Sequence, residues 1–322
     1  MFPANTDLTI CFAHVAYQMQ ERFVARNTGI TSIQARTRAE LDAGIASADV
    51  LVVSGLWRND LVPLAPKLKF IQSIGAGTDQ FSREALTAAG IRLASASGVN
   101  ARAVSEHAMS LILAMARRLP EARDNQHKKI WRGMIGDLTQ REDELGGKTL
   151  IVVGVGRIGG RLAQLAKAFD MHVIAFRRDP AAGPNGADEV YGLDQLNAQL
   201  PRADFVALTC PLTPETTGLI DAGAFAAMKP SSFLINCARG RCVDEAALAV
   251  ALANDTIAGA GIDVIYEEPL AQNSPLWSLA NAFITPHTAG ETRRYEDNVL
   301  DILMENLARL WRGESVLQNQ VV

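Results

Sequence analysis

The run Gly154-Val-Gly156-Arg157-Ile158-Gly159 constrains this chain more than any other feature. Three glycines at that spacing mean little alone, but the required context surrounds them: an apolar run, Thr149–Val153, before; a helical stretch, Ile158–Phe169, after; another apolar run from His172. Gly154 permits a tight turn, Gly156 lets a pyrophosphate approach the backbone, and Gly159 lets helix pack on strand. The helix N-terminus then offers free N–H groups and a partial positive charge. A dinucleotide site is therefore expected here, with Gly154, Gly156, Arg157, Ile158 and Gly159 as candidate contacts.

Around this turn the chain alternates. Strands are expected at Thr149–Val153, His172–Phe176, Phe205–Leu208, Phe233–Asn236, Gly259–Ile262 and Ala282–Ile284, with helices between, including Asp244–Ala253. Roughly one domain's worth of chain precedes the glycines, and it alternates too, with strands expected at Leu8–Ala13, Val50–Ser54 and Phe70–Ile74. A helix is expected over Ala101–Leu119, stopped by Pro120; a connection with Gly133, Gly136 and Glu142–Glu144 follows, and an amphipathic helix covers Glu291–Arg312. The fold class is α/β: two doubly wound parallel-sheet domains, a Rossmann-type cofactor domain at 101–287 inserted into a flavodoxin-like substrate domain of residues 1–100 plus 288–322.

Composition narrows the field. A net charge of −4 leaves no basic field for nucleic acid, and no apolar run approaches a membrane span. Cys11, Cys210, Cys237 and Cys242 form no ligand spacing, so no metal site is expected. The N-terminus lacks the regions of a signal peptide, and reduced thiols make the cytoplasm the expected compartment.

A site that accepts NAD places an acid about 20 residues beyond the glycines, on the ribose hydroxyl. Arg177, Arg178 and then Asp179 stand there. Two guanidiniums grip a 2′-phosphate that an acid would repel, so NADP(H) is the expected cofactor, with NAD(H) second. The alternative is a solvated Arg pair with Asp179 in the acid's place.

Hydride transfer between a dinucleotide and a carbonyl needs a proton donor for the oxygen, and an acidic substrate also needs a cation for its carboxylate. Arg239 follows a strand at the carboxyl edge, where open sheets bind ligands, and its planar fork matches a carboxylate. Of five histidines, His287 follows a strand behind Pro286, whereas His107, on an apolar helix face, reads as a satisfied core residue. A carboxylate beside His287 would orient it and raise its pKa; Glu267 and Glu268 are the candidates.

Asn236-Cys-Ala-Arg239-Gly240, Asp263 through Glu268-Pro269, Pro286-His287-Thr-Ala-Gly290 and Pro211-Leu-Thr-Pro-Glu-Thr216, with the glycine run, resemble the D-isomer-specific 2-hydroxyacid dehydrogenase family. Gly75-Ala76-Gly77-Thr-Asp79 and Ser97–Asn100 extend the likeness, which runs from Pro66 to Glu314. The resemblance implies an NADP-preferring reductase similar to those of glyoxylate or hydroxypyruvate, closing around substrate, with Arg239, Glu268 and His287 catalytic. It selects Glu268, immediately before proline, over Glu267. It further implies that Ala76 and Gly77 offer N–H groups to the substrate and that Asp263 holds the nicotinamide carboxamide. Thr209, Cys210, Pro211, Cys237, Ala238, Arg239, His287 and Gly290 are expected to line the cofactor cleft. Many members carry His where Thr209 stands, so a second imidazole is missing there.

Trp57 either closes over substrate or caps its domain's core. Relatives acting on 3-phosphoglycerate, formate or phosphite keep the same fold, and a phosphorylated substrate would draw on Arg58 and Arg102. A nucleotide-sensing binding protein is the reading from another class. The helix at 101–119 is apolar on more than one face, which, with the resemblance, predicts a homodimer through that region.

Overall fold

The computed structural model describes residues 2–322. These fall into two compact units, one of residues up to Asn100 together with Thr292–Val322, the other Ala101–Glu291. The second crossing thus falls at 292, against the expected 288.

The first unit is built on five strands: β1 Thr9–Ala13, β2 Thr31–Ala35, β3 Val50–Val53, β4 Phe70–Ser73 and β5 Arg92–Ala94. All pair in parallel in the order β2-β1-β3-β4-β5, the flavodoxin-like arrangement. β3 and β4 are buried along their whole length, as continuous apolar runs covered on both faces must be. One face packs on the helix Tyr295–Trp311, through Val299, Leu300, Leu303 and Leu307, a stripe at helical spacing. The other packs on Leu41, Ile45, Leu61 and Leu86. Asn306 and Gln72, both buried in this core, are joined by a 3.0 Å hydrogen bond from Asn306 Nδ2 to Gln72 Oε1.

The second unit has seven parallel strands: β6 Thr149–Val153, β7 His172–Phe176, β8 Glu189–Tyr191, β9 Phe205–Leu208, β10 Phe233–Asn236, β11 Gly259–Ile262 and β12 Ala282–Ile284. Their order is β12-β11-β10-β9-β6-β7-β8. The chain winds outward from β6 through β8, then crosses back to β9, so the strand order reverses between β6 and β9. The helix Arg157–Ala168 starts at Gly156 and buries Gly159, Leu162, Ala163 and Ala166 against the sheet.

The helix expected over 101–119 ends at Ala116, and Arg118 adopts a left-handed conformation. Pro120 begins rather than ends a helix: it sits in the first turn of Leu119–His127, where its missing N–H costs nothing. The two-faced apolar character of Ala101–Ala116 is used inside this unit. Leu111 and Ile112 join one cluster with residues of β6, β7, β10 and the helix Arg157–Ala168. It therefore gives no argument for a dimer. Exposed apolar side chains lie further on instead, at Ile130, Trp131, Met134 and Leu138. All four cysteines are buried and free, and no helix among the described residues is long and apolar enough to cross a membrane.

Candidate active site

At the switch point the glycine turn has the shape its sequence requires. Gly154 adopts a φ of +95°, and a Cβ there would lie 2.6 Å from the Cys210 backbone. A Cβ on Gly159 would lie 2.2 Å from the Gly154 carbonyl oxygen, so helix and turn meet backbone to backbone. Gly156 alone faces open space, with nothing within 4 Å of where its Cβ would be. A cavity of about 400 Å³ opens there, lined by Gly154, Gly156, Arg177, Arg178, Asp179, Cys210, Pro211 and Thr213. Closed behind and open in front of Gly156, this cradle fits a dinucleotide pyrophosphate.

The two arginines differ. Arg177 Nη1 donates to the carbonyls of Ala182 and Gly183, at 3.2 and 2.6 Å, which ties it to the turn that follows. Arg178 is exposed on the cavity wall. Asp179 caps the same turn by accepting from Ala181 N–H. Thr209, expected to line the cleft, directs its hydroxyl to the Gly154 carbonyl at 2.8 Å and braces the turn from within.

Further along the same sheet edge, β10, β11 and β12 deliver Arg239, Glu268 and His287. Asn236 is buried at the end of β10, accepts from Ala238 N–H and donates to the Arg239 carbonyl. Arg239 is exposed, its guanidinium bonded to Ala238 O at 2.7 Å. Gly240 explains how this loop reaches its neighbour: a Cβ there would stand 1.8 Å from the Ile265 carbonyl oxygen. The Arg239 loop therefore lies directly on the loop that carries Glu268. Glu268 Oε2 is 2.6 Å from His287 Nδ1, and Glu267 makes no such contact. A carboxylate at Nδ1 fixes the ring and its tautomer and leaves Nε2 to exchange a proton.

His287 has a φ of +55°, uncommon for a residue with a side chain, and Asp263 holds it there. The Asp263 carbonyl accepts His287 N–H at 2.8 Å. Its carboxylate, 3% exposed as a residue, accepts the Thr285 hydroxyl at 2.7 Å, Thr288 N–H at 3.0 Å and Ala289 N–H at 3.2 Å. The loop is thus gripped on both sides of His287. Cys237, beside Asp263, is held as a neutral thiol, pushed up first by burial and then by that charge. Cys210 and Cys242 are likewise buried and free.

The profile of "D-isomer specific 2-hydroxyacid dehydrogenase, NAD binding domain" matches residues 109–289, more than half the chain. The chain belongs to this family. D-3-Phosphoglycerate dehydrogenase of Mycobacterium tuberculosis is 38% identical over 285 residues, 87% of this chain and 52% of that protein. The chain therefore spans about half the length of such relatives. Glyoxylate/hydroxypyruvate reductase B of Yersinia pestis is 36% identical over 278 residues, 85% of this chain and 84% of that one. Among solved structures, the NADPH-dependent glyoxylate/hydroxypyruvate reductase of Sinorhizobium meliloti, in complex with NADP and malonate, superposes with a TM-score of 0.81. It is 27% identical, covering 98% of this chain and 97% of that one.

The first unit bears on the two alternatives at Trp57. Its indole is 6% exposed, packs on Phe81 at 5.3 Å and donates Nε1–H to Asn59. Trp57 thus packs into the core of its unit, as the capping alternative has it. Arg58 is paired with Asp42 and Asp60. Ala76 and Gly77 follow β4 at the carboxyl edge, and among the described residues neither N–H has an acceptor, so both are available to a ligand. Sequence reasoning missed Asn185, whose amide donates to the Val155 and Gly156 carbonyls and supports the glycine turn. It also missed Thr285, whose signal was proximity to Pro286-His287.

Proposed function

We propose that this chain is an NADP(H)-preferring reductase of small 2-keto acids of the glyoxylate or hydroxypyruvate kind, working on the D-isomer side. The observation that carries this reading is the Glu268–His287 contact of 2.6 Å beside an exposed Arg239, on the same sheet edge as the glycine cradle. The dinucleotide, when bound, supplies the hydride. Arg239 binds the substrate carboxylate through two parallel N–H···O bonds. His287, protonated, donates from Nε2 to the carbonyl oxygen as it becomes a hydroxyl, and Glu268 stabilises the imidazolium before transfer. In the oxidative direction the same imidazole takes the proton back.

Arg178, exposed on the wall of the glycine cavity, supports NADP(H) by offering a charge to a 2′-phosphate while Arg177 is engaged with backbone. Paired Arg58 weighs against a phosphorylated substrate. Nearly fully exposed Trp131 and Met134, beside a cavity of about 950 Å³, support a homodimer formed through the 130–142 segment. The buried free thiols suit the cytoplasm.

The test is oxidation of NADPH and NADH with glyoxylate, hydroxypyruvate, pyruvate and a branched keto acid, run beside His287→Ala. NADPH turnover lost in the variant supports the reading. Wild-type kcat in His287→Ala would overturn the donor assignment, and equal kcat/KM for the two cofactors would overturn the preference.

A further inference from the structure

His107 lies outside the proton-transfer pair, on the helix Ala101–Ala116, where its neighbours Ala108, Leu111 and Ile112 are buried. Its ring is aimed at the loop that carries His287. Nε2 stands 3.0 Å from Thr285 Oγ1 and 3.5 Å from Asp263 Oδ1. The Thr285 hydroxyl has one proton and spends it on Asp263 at 2.7 Å, so His107 must be the donor in the 3.0 Å contact. This sets the tautomer of His107, with the proton on Nε2.

Resting on the reading of His287 as proton donor, we propose that His107 is a positioning residue for it, acting through Thr285 and Asp263. A buried carboxylate needs donors or a cation to remain charged. Among the described residues His107 is the one cation-forming side chain within ion-pair distance of Asp263. Asp263 in turn holds His287, Thr288 and Ala289 by their N–H groups and keeps His287 at its positive φ. A backbone angle of that kind persists only where its surroundings over-determine it. The line of contacts thus starts on a packed helix and ends at the imidazole whose Nε2 must meet substrate.

The experiment compares His107→Leu, which fills the space without a donor, with His107→Gln, whose amide nitrogen can reach the same oxygen. Imidazole ¹⁵N signals of the cofactor-free protein are followed through the neutral pH range, and steady-state kinetics are measured alongside. In His107→Leu the His287 titration is displaced or broadened, and kcat falls about 10- to 100-fold, the scale of a misplaced reacting group. His107→Gln recovers both signals and kcat. A purely structural histidine would change folding stability and leave the His287 signals unmoved. The proposal is overturned if His107→Leu keeps the wild-type His287 titration, or if Gln does no better than Leu. If the wild-type protein reduces none of the keto acids while the His287 signals still move in Leu and return in Gln, the positioning stands and the donor role fails.

Discussion

Gly240→Ala isolates the contact that joins the two catalytic loops. The added Cβ would stand 1.8 Å from Ile265 O, 1.9 Å from Ile265 C and 2.5 Å from Tyr266 N. Side chains do not sit closer than about 3.0 Å to such atoms, and all three are backbone, so no rotamer change relieves the clash. One loop must retreat by more than 1 Å, which separates Arg239 from Glu268 and His287. Misplacement on that scale costs on the order of 100-fold in rate, and the overpacking costs about 1–3 kcal/mol in stability. Coupled keto-acid reduction by NADPH gives kcat/KM, and a thermal melt gives stability. The variant is expected to remain folded with a lower Tm and a kcat/KM reduced about 100-fold. Wild-type kcat/KM together with an unchanged Tm would refute the argument that this contact sets the catalytic geometry.

Gly156→Ala is the counterpart: its Cβ meets nothing within 4 Å, so Tm should hold while the cofactor KM rises, as read by NADPH titration. Arg178→Ala should raise the KM for NADPH about tenfold, the value of a lost charge-assisted bond, and leave that for NADH unchanged. Arg177→Ala should instead lower Tm, through the Ala182 and Gly183 carbonyls it holds. Glu189 is held well below the usual carboxylate range, first by Arg202 and then by Tyr191 and His172. A depressed carboxyl adds stability above its unfolded value, about 4.3, and loses it as pH falls through the folded one. Arg202→Met should therefore melt below wild type at neutral pH, and the two should converge in acid and in high salt.

Much of this molecule was legible before any fold was drawn. The glycine turn, the central strands and the Arg239, Glu268 and His287 segments are local patterns. Strands covered on both faces must be apolar runs, and a pyrophosphate turn must be glycine. The three strands that went unseen, β2, β5 and β8, all lie at sheet edges and are short or half-exposed, so they carry no apolar run to detect.

Other features depend on residues far apart in the chain. His107 and Thr285 are separated by 178 positions, and only the packing of the helix Ala101–Ala116 into its own unit brings them together. Arg177 and Arg178 look alike as neighbours, yet one is half-buried and tied to the Ala182 and Gly183 carbonyls while the other is exposed. The core that buries the Trp57 indole against Phe81 is likewise set by tertiary packing. Residue type and spacing determine what chemistry a segment can perform, because those depend on the backbone within a few residues. Which side chains are free to perform it is decided by hydrogen bonds and burial, and only the folded chain sets those.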